Sequence, residues 1–437
     1  MKNHLSTVVH DISMKFSKER YLKRLIDDEI GLYLDAFGAV CVEGPKGCGK
    51  TWFSMNNSRS AFLLANPDND FGNRALAETD IGIVFEGERP HLIDEWQSIP
   101  ELWDATRSMV DSSEDDGKFI LTGSSTPKFK GIRHSGAGRI GVLRMRTMSL
   151  YESGDSSGTV SLRDLFDNKL ETKMTGDVSL KRLVDLTVRG GWPRLIGKTP
   201  SASALAVRRY VDDLMDEASR LDSITRNKEK ITMAFRSLSR HESSLAHVNR
   251  MCAEMDDDLC ITDKTMREYV DVFDRLFLIE NQTAYSPNLK SELRVGKMPK
   301  RHLTDPSLAI AALGLNADML YSDPKLYGLY FEAMCERDLD IYIKRMDGRL
   351  FHYRDHNNRE VDAVAELRDG RYALFEIKLG TKEIDDAAEN LIRIRDLWKS
   401  KGVDRMPEFM CVICGMSSAA YRGADGVYVV PITALGP

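Results

Sequence analysis

No run in the 437-residue sequence approaches the roughly 20 apolar residues that a bilayer-spanning helix requires. The N-terminal stretch MKNHLSTVVHDISMKF likewise has no apolar core of a secretory leader, so a cytoplasmic protein without a membrane partner is expected. An excess of positive charge is also lacking: 61 Lys and Arg stand against 67 Asp and Glu, a formal net of −6. A nucleic-acid field over the whole molecule needs concentrated positive charge, which leaves only local basic patches for that purpose. Cysteines are few, odd in number at seven, and scattered, which argues against a disulfide framework. Cys411 and Cys414 alone are closely spaced, inside the apolar run MCVICGM, and no second pair completes a metal site. They read as buried small hydrophobes. Internal repeats and low-complexity tracts are missing too, which argues against a solenoid array.

What is present is an ordinary globular balance, 42% hydrophobic and 29% charged, over a length that suggests about three domains. Over residues 1–150, a helix-like N-terminal stretch leads into short apolar runs at 39–42, 61–65, 91–93 and 119–121, which alternate with helix-like stretches such as 100–111. That alternation predicts an α/β domain with a parallel sheet. The Ser-rich segment 154–158 marks a change to a mostly helical pattern, a connector over 151–320. Within it, two helices, a long amphipathic helix over 262–278 and a short two-stranded ribbon outline a winged helix. The last segment, 321–437, is mixed again: RLFHYR, EVDAVAEL and RYALFEIKL read as strands, followed by a helix over 385–398 and two more strands.

The first run ends in Gly44, Pro45, Lys46, Gly47, Cys48, Gly49, Lys50 and Thr51, the pattern GxxxxGK[ST]. Glycines there let successive backbone N–H groups converge on phosphates at the start of a helix. Lys50 would reach the β- and γ-phosphates of ATP and Thr51 would take Mg²⁺. The run His91-Leu92-Ile93-Asp94-Glu95 supplies the other half: Asp94 would hold Mg²⁺ and Glu95 would polarise the attacking water. Two matched signals in this order separate a nucleotide site from a chance glycine turn. The next run ends in Thr122-Gly123-Ser124-Ser125, where Ser124 would either position water or simply shape a turn. Arg139, on the small-residue loop HSGAGR, is either an arginine finger acting on a neighbouring subunit or a solvated side chain.

In the last segment Asp362 closes one strand-like run, and Glu376 and Lys378 share a face of the next. With Glu332 from the preceding helix, these carboxylates could bind Mg²⁺ for phosphodiester cleavage, the lysine neutralising developing charge. An exposed Glu and Lys on an edge strand is the plain alternative. Lys and Arg residues strewn between Lys228 and Arg301 offer local positive charge for DNA, or an ordinary solvated surface.

Assembled, VEGPKGCGKT, HLIDEWQSIPELWD, FILTGSSTP, HSGAGRI, MSLYES, RGGWP, HLTDP and EVDAV…FEIK resemble one family over nearly the whole chain. These are the bacterial and archaeal AAA-type ATP-binding proteins that carry a C-terminal domain of unknown function with a restriction-endonuclease-like core. The resemblance implies Lys50, Thr51, Asp94 and Glu95 as nucleotide residues. It also supports Glu332, Asp362, Glu376 and Lys378 as a PD-(D/E)xK nuclease-like constellation. Relatives often have arginine where Lys46 stands, a change without consequence for phosphate binding. Three outputs remain open on this reading: a nucleotide switch acting on nucleic acid or a protein partner, an ATP-gated nuclease, and a binding module with a vestigial site. A homo-oligomer is compatible with each.

Overall fold

The computed structural model describes residues 18–65, 72–112, 115–126, 135–221, 225–245, 247–255, 259–287 and 298–437. The chain divides into two compact units. One takes the chain up to Thr147 together with Trp192–Arg194 and Arg275–Phe277, and the other takes Met148–Gly191, Leu195–Asp274 and Leu278–Pro437. No helix among the described residues is long and apolar enough to cross a membrane.

The first unit is a five-stranded sheet of β1 (Ala39–Glu43), β2 (Ser60–Leu63), β3 (His91–Asp94), β4 (Phe119–Gly123) and β5 (Ile140–Arg144) in the order β2-β3-β4-β1-β5. Every pairing is parallel. Parallel strands must be covered on both faces, and the sequence provides for it by alternation. Ala39 and Cys41 point into a core with Phe62, Ile93, Trp96 and Trp103, while Val40 and Val42 point into another with Ile30, Phe53 and Leu143. Helices α1 (Asp27–Ala36) and α2 (Lys50–Asn56) supply Ile30 and Phe53 to the second core. Of α3 (Gly72–Thr79) and α4 (Glu101–Asp111), the latter brings Leu102, Trp103 and Val110 to the first. Because β4 lies between β1 and β3, its polar C-terminal residues stand between the glycine-rich loop and the Asp94-Glu95 pair. Such a crevice at the carboxyl ends of the strands is where open α/β sheets bind ligands.

The second unit opens with β6 (Val160–Ser161), α5 (Leu162–Phe166) and β7 (Lys173–Met174), followed by α6 (Leu180–Arg189) and α7 (Pro200–Arg220). Then come α8 (Lys228–Arg240), α9 (Val248–Ala253) and α10 (Asp263–Arg275), and an antiparallel ribbon of β8 (Ile279–Gln282) and β9 (Lys300–Leu303). The three helices and ribbon stand in the expected order. The long helix is shorter than its periodicity predicts, because Phe277 adopts a left-handed backbone with φ of 59° and turns the chain into β8.

After α11 (Pro306–Ala312) and α12 (Ala317–Ser322), the 21-residue helix α13 (Pro324–Lys344) leads into a meander of β10 (Gly348–Arg354), β11 (Glu360–Leu367) and β12 (Tyr372–Lys378). Helix α14 (Ile384–Ser400) is the crossover that lets β13 (Phe409–Cys414) pair parallel to β12. Its Ile384, Ala387, Ala388, Leu391, Ile394 and Trp398 form one apolar stripe against Leu374, Val412 and Val429. Cys411 and Cys414 lie buried in β13 as free thiols whose pKa burial pushes up.

β14 (Ala419–Arg422), β15 (Tyr428–Pro431) and, at the outer edge, β7 complete a seven-stranded sheet, while β16 (Leu435–Gly436) pairs with β6. The segment expected to open a helical connector therefore contributes strands next to those at the far end of the chain. At two residues each, β6 and β7 are too short for a period-2 pattern to show.

Candidate functional site

The loop after β1 is built on backbone that side chains resist: Gly44, Gly47 and Gly49 have φ of 156°, 80° and 109°. A Cβ at Gly44 would lie 2.1 Å from the carbonyl oxygen of Met145, so any larger residue pushes the loop off the sheet. Lys50 begins α2, is buried, and donates from Nζ to the carbonyls of Gly44 (2.8 Å) and Pro45 (3.0 Å). Cys48 is buried under the loop, and Arg24, equally buried, donates to its carbonyl (2.9 Å) and to that of Arg146 (2.9 Å). Arg24 braces the loop from behind. Nothing in its helix-like sequence context marks it.

Across the crevice, Oδ1 of Asp94 accepts from Thr51 Oγ1 (2.9 Å) and from Thr122 Oγ1 (2.6 Å). Burial raises the Asp94 pKa, the neighbouring Glu95 charge adds to that, and the two hydroxyls and Lys50 work the other way. A buried carboxylate that shares an oxygen with a P-loop hydroxyl fits a divalent cation, which would relieve the charge that burial penalises. Thr51 and Asp94 are the residues that would hold it.

Glu95 follows in the left-handed region, φ 62° and ψ 44°, an unusual conformation for glutamate, with its own N–H donating to Thr122 Oγ1 (2.9 Å). Its Oε2 accepts from Ser124 Oγ (2.8 Å) and from Gln97 Nε2, which also donates to Ser124 Oγ (3.0 Å). A strained backbone held by specific hydrogen bonds beside a phosphate loop is a mark of a functional position. The structure thus brings Lys50, Thr51, Asp94, Glu95 and Ser124 together. It sets Thr122, the first hydroxyl of the Thr122–Ser125 run, on Asp94, and adds Gln97, which the sequence does not mark; Gln97 lies two residues beyond Glu95.

Arg139 is engaged inside its own unit. Its Nε donates to Asp111 Oδ1 (2.8 Å), while Arg107 holds the other oxygen at 3.1 Å. These hydrogen bonds lower the Asp111 pKa, the one from Arg139 foremost.

In the second unit, Asp362 on β11 and Glu376 and Lys378 on β12 also converge. Asp362 Oδ2 accepts from the N–H of Ile377 (2.7 Å) and lies 3.4 Å from Lys378 Nζ, and Lys378 pairs with Glu376 at 2.6 Å. Asn390 of α14 donates to the other Glu376 oxygen (2.8 Å). Glu332 joins from α13, but its carboxylate meets Lys300 of β9, which also binds Glu336 one helical turn on at 2.8 Å. Burial pushes Glu376 up to about 8, with Asp362 adding to it, and Glu336 likewise to about 8. Burial would lower the Lys300 pKa, yet Glu332, Glu336 and Asp362 together raise it.

The cluster is therefore closed by two ammonium groups. Among the described residues no group of three or more His, Cys, Asp or Glu stands ready to hold a metal ion. This donor set, as arranged, does not fit one. Lys300 is also removed from the basic surface expected of this region, because it is buried among carboxylates. Lys228 pairs with Asp216, Arg236 donates to the carbonyl of Ala312, and Lys290, Arg294 and Lys297 lie outside the described residues.

Three family models match the chain: an AAA domain over residues 36–154, a domain of unknown function (DUF8612) over 180–319, and a second (DUF4143) over 327–435. Two proteins described as uncharacterized, Rv2008c of Mycobacterium tuberculosis and Mb2031c of Mycobacterium bovis, are each 24% identical over 350 residues, 78% of this chain and 70% of theirs. Among solved structures, the Walker-type ATPase paby2304 of Pyrococcus abyssi aligns at a TM-score of 0.42 and 13% identity over 68% of this chain and 97% of that one. The ORC2 protein of Aeropyrum pernix in ADPNP–ADP complexes aligns at 0.18 and 12%, over 74% and 97%. The N-terminal segment is an AAA-type P-loop domain with a nucleotide-binding loop.

Proposed function

We propose that this protein hydrolyses ATP and uses the nucleotide state to control what its C-terminal domain engages, DNA or a protein partner. The observation that carries the reading is the Asp94 carboxylate, shared by the Thr51 and Thr122 hydroxyls, with Glu95 locked beside it in a left-handed conformation. In this scheme the amides of the loop and Lys50 take the phosphates, Lys50 exchanging the Gly44 and Pro45 carbonyls for phosphate oxygens. Mg²⁺, when bound at Thr51 and Asp94, neutralises phosphate charge. Glu95 polarises the attacking water, and Ser124 with Gln97 fixes the angle of its carboxylate. Arg139 would act on a second copy of the chain only after release from Asp111.

A second reading, metal-dependent phosphodiester cleavage by Glu332, Asp362, Glu376 and Lys378, is favoured by one observation. Asp362 and Glu376 flank a single lysine on adjacent strands of a meander backed by α13. It requires Lys300 and Lys378 to turn away, and the terminal domain is proposed here as an engaging module that does not cut.

The test uses the full chain with ATP, Mg²⁺ and linear and circular DNA. Phosphate release by the wild type that disappears in Lys50→Ala is expected, with intact DNA throughout. Wild-type turnover in Lys50→Ala would sink the ATPase reading. DNA cleavage by the wild type that Asp362→Ala and Glu376→Ala abolish would replace the non-cutting module with the nuclease.

A further inference from the structure

Helix α10 ends in a way its sequence does not favour. Phe277 carries a left-handed φ of 59°, and the N–H of Leu278 donates back to the carbonyl of Phe273 (2.9 Å). A helix closed by that bond usually has glycine at the left-handed position, because a Cβ is strained there. A bulky aromatic in this place has to be held by contacts outside the helix. Phe277 is buried, and the guanidinium carbon of Arg144 lies 4.2 Å from the centre of its ring. Arg144 ends β5 and stands beside Glu43, the last residue of β1, which seats the ring at the root of the phosphate loop.

Arg275, two residues earlier, is fixed to the far wall of the same crevice. Its carbonyl accepts from the N–H of Thr126 (3.0 Å), and its Nε donates to the carbonyl of Thr126 (2.9 Å). Two bonds between one pair of residues fix orientation as well as distance. Thr126 lies two residues beyond Ser124, whose hydroxyl donates to Glu95 (2.8 Å). The short segment from Arg275 to Phe277 thus reaches both strand ends that frame the phosphates, β4 through Thr126 and β1 with β5 through Arg144.

These three residues belong to the first unit, although α10 up to Asp274 and the chain from Leu278 onward belong to the second. On the exit side, the carbonyl of Leu278 accepts from the N–H of Thr304 (2.9 Å), just past β9. The helix and the ribbon are therefore joined covalently to a segment that is itself clamped to the nucleotide crevice.

We propose that Arg275 and Phe277 couple the nucleotide state to helix α10 and the β8–β9 ribbon. The proposal rests on the ATP-binding reading above. Both are positioning residues, acting through the end of β4 and the root of the phosphate loop. A γ-phosphate that shifts Ser124 shifts Thr126 with it, and the Arg275 clamp hands that displacement to the last turn of α10. By linkage, a partner that binds α10 or the ribbon in one state alters ATP affinity by the same factor.

The test is backbone amide hydrogen exchange of the full chain with Mg²⁺ and either ADPNP or ADP, for the wild type, Arg275→Ala, Arg275→Lys and Phe277→Leu. In the wild type, amides of α10 and β8 should exchange at rates that differ about five-fold or more between the two nucleotides. Arg275→Ala should bring that difference within two-fold while residues 44–51 stay protected by nucleotide, and Arg275→Lys, which keeps a donor, should retain most of it. Phe277→Leu keeps both Thr126 bonds and loses the ring under Arg144, and it should also shrink the difference; it decides by the same limits if Arg275→Ala fails to fold. A wild type whose loop is protected but whose α10 and β8 exchange alike with both nucleotides would overturn the coupling. So would a wild-type difference kept in Arg275→Ala, or exchange in that variant faster by an equal factor with ADPNP and ADP, the mark of a purely structural role. A wild type whose loop gains no protection from either nucleotide would overturn the ATP-binding reading itself, and the coupling with it.

Discussion

Replacing Lys300 with methionine tests whether the buried charge cluster is as tightly interlocked as its distances imply. Lys300 is 8% exposed and serves two carboxylates of α13, Glu332 and, at 2.8 Å, Glu336. Methionine preserves the stem and removes the charge, leaving both carboxylates buried without their ammonium. Breaking a buried pair in this way costs about 3–5 kcal/mol, most of it the penalty of the abandoned charge. A carboxyl can escape that penalty by taking a proton, and burial already pushes Glu336 up to about 8. Loss of Lys300 raises it further, so below that range protonation caps the cost.

Urea unfolding followed by circular dichroism should therefore show Lys300→Met less stable by about 3–5 kcal/mol at pH 9, shrinking toward ~2 kcal/mol at pH 6. Adding Glu336→Gln to Lys300→Met should recover most of the pH 9 loss, and amide exchange should place the loosening in β9 and α13. A loss that is equal at the two pH values would refute the reasoning. So would one below about 1 kcal/mol at both, the behaviour of a solvent-exposed pair.

Two further outcomes are expected. Ser124→Ala removes a 2.8 Å hydrogen bond to the Glu95 carboxylate. It should lower kcat for ATP about ten-fold with KM unchanged, the signature of a lost general-base orientation; steady-state phosphate release decides it, and an unchanged kcat would remove Ser124 from the site. Glu376 titrates at about 8 when folded against 4.5 ordinarily, so between those values the folded state holds the extra proton and stability falls as pH rises through that window. Glu376→Gln should flatten the slope by at most about 1.4 kcal/mol per pH unit, read from unfolding midpoints at several pH values.

The nucleotide half of the molecule was legible because its chemistry is local in sequence. GPKGCGKT and LIDE are contiguous runs, and their strands are bounded by glycines and carboxylates that the loops themselves require. The order of the strands was not, since the position of β4 between β1 and β3 is a property of crossovers that no single run encodes. Gln97 carries no mark in the sequence, because its role depends on where Glu95 points, which in turn depends on that residue's left-handed backbone. In the terminal domain Asp362, Glu376 and Lys378 were visible from strand periodicity. Lys300 and Glu336 were not, because a lysine in KRHLTDP looks like surface until α13 is packed across it. Strands β6 and β7 illustrate a different limit: two residues held only by long-range pairing carry almost no signal of their own.

Those same short strands bear on how such a chain can be cut and recombined. The family match for the terminal domain begins at residue 327, whereas the sheet it describes ends on β7, at Lys173 and Met174, and β16 lies on β6. A fragment started at that match would bare the open edge of β14, a template for pairing with other copies and hence for aggregation. Gene fusion or domain exchange that respects sequence similarity alone would sever the sheet. The inheritable piece is discontinuous, and the stretch from Met148 to Met174 has to travel with the C-terminus it completes.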